Sequence, residues 1–205
     1  IVIINSVYLM EKRYLNKLMS TIMTGMENFY RNKRLEYINR ELEEISMRDA
    51  MTGLYNRLGY QNLACRIFRE KKEKNRDLSI LFIDMDRLKY MNDTFGHEYG
   101  DLAIKITARA ILRYCPEDAA AIRMGGDEFL VILSRMPLEE IEKLVNSIRA
   151  DIHARTKLVD FPCELGISAG SINTDMRCSK ELDDYVREAD EIMYQEKCAR
   201  KKQRK

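Results

Sequence analysis

Arg123-Met124-Gly125-Gly126-Asp127-Glu128-Phe129 is the stretch on which the fold turns. Ala119-Ala120-Ala121-Ile122 leads into it, and Phe129-Leu130-Val131-Ile132-Leu133 leads out. Two apolar runs separated by Gly-Gly predict a β-hairpin, because paired glycines accept the positive φ that tight hairpin turns demand. The second run is apolar at every position, which predicts a central strand covered on both faces. Asp127 and Glu128 then stand at the mouth of a tight turn beside a buried strand. Acids are costly there without a cation or a hydrogen-bonding partner. Taken alone, Gly-Gly-Asp-Glu also reads as a solvated turn that happens to be acidic.

Working outward, Leu78 to Ile83 predicts a strand that runs straight into Asp84-Met85-Asp86. The carboxyl end of a buried strand is a common place for an acid that holds a hard cation. A short helix carrying Lys89, Asn92 and Asp93 follows, then Gly96 and Gly100 as breakers, then a helix from about Asp101 to 114. Beyond the hairpin, Pro137 opens a helix through about 156, since proline is favoured in a first turn. Cys163 to Ile172 reads as a strand. Residues 180–198 read as a last helix, with Leu182, Tyr185, Val186, Ala189, Ile192 and Met193 inward. With 58–74 helical, the order is α-β-α-α-β-β-α-β-α. That order predicts an α+β fold: a mixed, mostly antiparallel central sheet flanked by helices.

Residues 8–47 contain no proline and one glycine. Apolar residues recur at Leu15, Met19, Ile22, Met26 and Phe29, and again, out of phase, at Leu35, Ile38, Leu42 and Ile45. Both runs are heptad seams, and the break between them is a stutter. The expectation is two segments: a signalling or coiled-coil helix over 1–47 and a globular domain over 48–205. An amphipathic helix packed on its own domain is the alternative. Between them, Thr52-Gly53 and Asn56-Arg57 break the helical pattern, and Asp49 is placed to cap or brace the junction.

Lysine and arginine total 35 against 33 acids, so global charge gives no reason to expect nucleic acid or an anionic membrane as partner. The five cysteines are scattered without a C-x-x-C pair, which argues against a disulfide framework or zinc site and fits a reducing cytoplasm. Ile1-Val2-Ile3-Ile4 is too short to span a bilayer. With no initiator methionine, the chain reads as an excised piece whose upstream sensor domain or membrane anchor has been lost.

Four spaced segments together resemble the GGDEF family of diguanylate cyclases, over roughly residues 45–201. They are Asp49-x-Met51-Thr52-Gly53-Leu54-x-Asn56-Arg57; Asp84-Met85-Asp86-x-x-Lys89-x-x-Asn92-Asp93-x-x-Gly96-His97-x-x-Gly100-Asp101; Arg123-x-Gly125-Gly126-Asp127-Glu128-Phe129; and Ala189-Asp190-x-x-Met193-Tyr194-x-x-Lys197. The resemblance implies a sheet related to adenylate cyclase and polymerase palm domains. It also implies condensation of two GTP into cyclic di-GMP and two pyrophosphates, across a homodimer of face-to-face domains joined by the leading helix.

By the same resemblance Asp84 and Asp127 hold Mg2+ (Mn2+ as an alternative ion), with the Met85 carbonyl as a backbone ligand. Glu128 is a second-metal ligand or the base for the attacking hydroxyl. Lys89 supports the transition state, Lys197 and Lys201 bind phosphates, and Asn92 and Asp101 read guanine. His97 belongs to the same binding segment. Arg123 serves either ligand binding or a neighbouring ion pair. Three departures stand out. The family's inhibitory Arg-x-x-Asp falls at Pro116 and Ala119, so product feedback through that site is expected to be absent. Arg200-Lys201 replaces Gly-Arg, and Glu196 replaces an alanine beside Lys197. A catalytically inactive GTP- or dinucleotide-binding module, and a purely structural coiled-coil protein, are the competing readings.

Overall fold

The computed structural model describes residues 2–203, with side chains described over 11–200. It divides into two units, Ile1–Ser46 and Met47–Lys205. The first is a single helix, α1 (Val2–Ser46). Every residue of both predicted seams is exposed on it, from Ile38 at 39% to Ile45 at 70%. An apolar stripe of that length has no partner within its own helix.

The second unit is built on β1 (Leu78–Met85), in which all eight residues are buried. Around it the order is α2 (Arg57–Gly59), a π-helical turn (Tyr60–Ala64), α3 (Cys65–Glu73), β1, α4 (Leu88–Phe95) and α5 (His97–Tyr114). Then come β2 (Ala120–Gly125), β3 (Glu128–Ser134), α6 (Leu138–Leu158), β4 (Ile167–Asn173) and α7 (Leu182–Gln203). The strands line up β2-β3-β1-β4, each pair antiparallel. Among the described residues, parallel pairing reduces to one bridge, Tyr55 to Ile122.

Strand side chains alternate between faces, so β1 and β3 feed two cores at once. Leu81, Ile83, Phe129, Val131 and Leu133 pack with Ile104, Ile111 and Ile148 from α5 and α6. Ile80, Phe82, Leu130 and Ile132 pack with Phe68, Tyr185, Ala189 and Met193 from α3 and α7. This is why the 129–133 run is apolar throughout: neither face meets water.

Four local expectations change. Ile192, expected inward on the last helix, is 40% exposed. The hairpin forms, but only Gly126 has positive φ (20°); Gly125 pairs with Glu128 after a bulge that follows Arg123. Helix α5 begins at His97, four residues before the predicted start, with Gly100 inside it. Residues 163–166 form no strand: β1 ends at Met85, opposite Ile167, and beyond it the Asp86 N–H bond to the Gly166 carbonyl does not continue as a ladder.

Candidate active site

The site lies where β1 ends. Asp84 stands directly across from Glu128, while Met85 N–H donates to the Asp127 carbonyl (3.0 Å). Backbone pairing thus brings three acids from two segments, 43 residues or more apart, to one sheet end (127 − 84 = 43). Met85 is fully buried, with its main chain held between the Asp127 carbonyl and the end of β4. Asp86 N–H donates to the Gly166 carbonyl (2.8 Å), and its carboxylate accepts from Ser168 Oγ (2.9 Å).

Helix α7 supplies the cation. It crosses β4 so closely that a Cβ on Gly170 would lie 2.2 Å from the Ala189 carbonyl oxygen and 2.3 Å from Met193 N. One turn past Met193, the Lys197 ammonium bonds Asp84 Oδ1. Burial pushes the Asp84 carboxyl up; Lys197 pulls it down, and the charges of Asp127 and Asp86 push it up again. Glu128 is likewise raised, by burial and then by Asp127, Asp84 and Asp190. Lys197 also rises: burial opposes its charge, but the bond to Asp84 and the charges of Asp84, Asp127 and Asp86 together outweigh burial. Both members of the pair move up, Asp84 chiefly through burial with the neighbouring acids adding to it, and Lys197 through the carboxylates around it.

Among the described residues no three His, Cys, Asp or Glu side chains are gathered into a ready-made metal cage. The donor set still fits Mg2+, which takes one or two carboxylates and completes its shell with water and substrate phosphates. The Lys197 ammonium already stands in for a cation at Asp84.

The proposed guanine readers come from α4 and α5. Gly100 is buried against Asn92: a Cβ there would lie 1.9 Å from Asn92 Oδ1 and 2.9 Å from its Cγ. What reads in sequence as a breaker is therefore the space that holds the Asn92 amide, one residue before Asp101. Gly100→Ala is expected to displace that side chain alone. Stability should change by under about 1 kcal/mol, because a flexible side chain can give way. GTP binding should weaken about tenfold or more, the cost of one displaced buried hydrogen-bonding group. Titration calorimetry and thermal melts measure the two. Lys89 and His97 lie exposed beside this pair, on α4 and at the start of α5. The Lys201 side chain lies outside the described residues.

Arg123 is occupied elsewhere. Its Nη1 donates to both Asp49 oxygens (3.2 and 3.3 Å), while Nε and Nη2 donate to the Gly126 carbonyl (3.2 and 2.9 Å). The ion-pair reading of this residue, not the ligand-binding one, matches its contacts. Asp49 also accepts from Thr52 N (2.9 Å) and Oγ1 (2.6 Å), and Arg123 N–H donates to the Tyr55 carbonyl (2.7 Å). The 49–55 turn is thereby tied to the catalytic hairpin. Burial would raise the Asp49 carboxyl, but the Thr52 and Arg123 bonds hold it below its ordinary 3.8. A depressed carboxyl stabilises the fold above its unfolded value and loses that contribution as pH falls through the folded value. Asp49→Asn should therefore cost about 1–2 kcal/mol at pH 7. The gap from the parent in denaturant melts should close as pH drops below about 4.

Sequence reading missed one group. Glu196 does not sit idle beside Lys197: it accepts from Arg149 Nη2 (2.6 and 2.9 Å) and Ala169 N (2.7 Å), and it forms an ion pair with Arg200 (3.1 Å). Arg149 and Arg200 also donate to the Ile167 carbonyl (3.4 and 2.9 Å). The unfamiliar glutamate and arginine thus fasten α7 to α6 and to the open edge of β4. Their i,i+4 spacing was the available signal.

The family model for the diguanylate cyclase GGDEF domain matches residues 46–203. The probable diguanylate cyclase DgcJ of Escherichia coli K12 is 35% identical over 158 residues, covering 77% of this chain and 30% of that protein. The probable diguanylate cyclase DgcC of the same strain is 29% identical, covering 87% of this chain and 48% of its own length. The chain thus spans half or less of these curated relatives. Among solved structures, the coiled coil and GGDEF domain of DgcB from Caulobacter crescentus, in complex with c-di-GMP, superposes with a TM-score of 0.73. That likeness covers 84% of this chain and 92% of the other at 22% identity, and it speaks to the fold. A family match over more than three quarters of the chain decides the assignment: this chain belongs to the GGDEF family of diguanylate cyclases.

Proposed function

We propose that the chain is an active, Mg2+-dependent diguanylate cyclase that joins two GTP into cyclic di-GMP with release of two pyrophosphates. The observation that carries this is the pairing of Asp84 with Glu128 across β1 and β3, with Asp127 on the turn beside them. Asp84, Asp127 and the Met85 carbonyl would hold the ion. When bound, it supplies charge stabilisation on the transferring phosphoryl group and the leaving pyrophosphate.

The chain's own groups do the rest. Asn92 and Asp101 orient guanine, and Lys89 and Lys197 present positive charge to the phosphates. Glu128, its carboxyl raised by burial and neighbouring acids, accepts the 3′-hydroxyl proton or supports a second ion. Arg123 acts one step back, holding the Gly126 carbonyl and so the turn that bears Asp127.

One domain presents one such site, and the product needs two nucleotides. Two copies facing each other satisfy that need, and the exposed seam of α1 is the surface by which they would pair. No described helix is long and apolar enough to cross a membrane. We place the reaction in the cytoplasm, where GTP is available, under an upstream sensor.

Incubation with GTP and Mg2+ tests the activity, with Asp127→Ala as control. Cyclic di-GMP that disappears in the variant supports the reading. Mg2+-dependent GTP binding without product would favour an inactive signalling module instead.

A further inference from the structure

Lys197 and Asp84 hold each other at the place where the proposed reaction needs both of them apart. The Lys197 side chain is 20% exposed and that of Asp84 10%, so the pair is largely withdrawn from water. An aspartate oxygen that accepts from an ammonium has that lone pair in use, and an ammonium bonded there is aimed at β1 and not at a phosphate. A metal at Asp84 and a phosphate at Lys197 therefore each require this bond to break.

We propose that Lys197 is an exchangeable counter-ion: without nucleotide its ammonium takes the cation's place at Asp84, and incoming phosphates draw it away, so that metal and nucleotide bind as one coupled event. This rests on the reading of the site as a Mg2+–GTP site.

The surroundings explain why an ammonium belongs there. Asp84 shares its sheet end with Asp86, Asp127 and Glu128; Asp84 and Asp86 are buried there, and buried carboxylates need a compensating charge. The helix that brings the charge is fixed. Ala189 and Met193 are buried, Gly170 sits against their backbone, and Glu196 is tied to Arg149, Arg200 and the Ala169 amide. Lysine's flexible stem lets the charged end swing while the helix stays.

The coupling follows from which charges are left alone. A metal entering by itself turns the ammonium out of a half-buried place and gives it nothing in return. A metal entering with a triphosphate leaves both Asp84 and Lys197 paired. By linkage, the factor by which nucleotide tightens the metal equals the factor by which metal tightens the nucleotide.

Mn2+ binding, followed by electron paramagnetic resonance on the 205-residue chain, tests this without turnover. Lys197→Met should bind Mn2+ alone about tenfold more tightly than the parent, since a charge-assisted bond no longer competes. Lys197→Arg, which keeps the charge, should stay within about twofold of the parent. Lys143→Met makes the same charge change from an exposed place on α6, outside the site, and sets the long-range electrostatic effect, within about threefold. An α,β-methylene GTP analogue should tighten Mn2+ in the parent by a larger factor than in Lys197→Met. Should Lys197→Met fold poorly, Lys197→Gln, which keeps a neutral donor, should still show a several-fold gain. Unchanged or weaker metal binding in the folded neutral variants overturns the exchange. Loss of cyclic di-GMP synthesis in a parent chain that shows this metal behaviour would instead overturn the cyclase reading alone.

Discussion

Gly170→Ala should destabilise the second unit by about 3 kcal/mol and lower its melting temperature by roughly 6–10 °C. The added methyl would meet the Ala189 carbonyl oxygen at 2.2 Å, Met193 N at 2.3 Å and Met193 Cα at 2.9 Å. All three are backbone atoms of one helix, so no rotamer change relieves the clash. Helix α7 must move off β4 by roughly an ångström, and the tight packing that fixes it has no slack to absorb this. The displacement also carries Lys197 away from Asp84 and strains the Glu196 bond to the Ala169 amide. Activity should therefore fall more than stability alone explains, measured well below the variant's melting point. A variant that melts with the parent would mean that α7 does not approach β4 this closely.

Asp84→Ala should remove essentially all synthesis, a loss of about 10³-fold or more, because the charge that organises metal and phosphates disappears with it. It should also be less stable than the parent by about 1–3 kcal/mol, since Lys197 is left half-buried without its partner. Asp127→Ala offers the contrast. Among the described residues the Asp127 side chain makes no hydrogen bond or ion pair, and it sits on the turn between β2 and β3, so its removal should cut activity similarly while leaving the melt close to the parent's. Matching losses of stability in the two variants would contradict the role given to the Lys197–Asp84 pair.

The sheet was legible because its signals are local and redundant. The unbroken apolar run of β3 announced a strand covered on both faces, and burial of Phe129 through Leu133 repeats it residue by residue. The acids were legible by resemblance, and register then explains it: antiparallel pairing puts Asp84 opposite Glu128. What escaped depends on contacts between distant segments. Gly100 looks like a helix breaker until Asn92 is seen filling the space above it. Arg123 reads in sequence as either a ligand-binding cation or half of an ion pair, and only its contacts to Asp49 and the Gly126 carbonyl show the ion pair. Glu196 looks like a misplaced charge until Arg149 arrives from another helix. The π-helical turn at Tyr60–Ala64 has no sequence signal that we recognise.

The most direct test of the central claim is the specific activity of the chain from GTP and Mg2+ across a wide range of protein concentrations, with the product identified by mass. Paired half-sites predict cyclic di-GMP whose yield per molecule rises with protein concentration and then levels off. Cyclic di-GMP made at a constant rate per molecule down to the lowest concentration would contradict assembly from two copies, and no cyclic di-GMP at any concentration would contradict the cyclase itself.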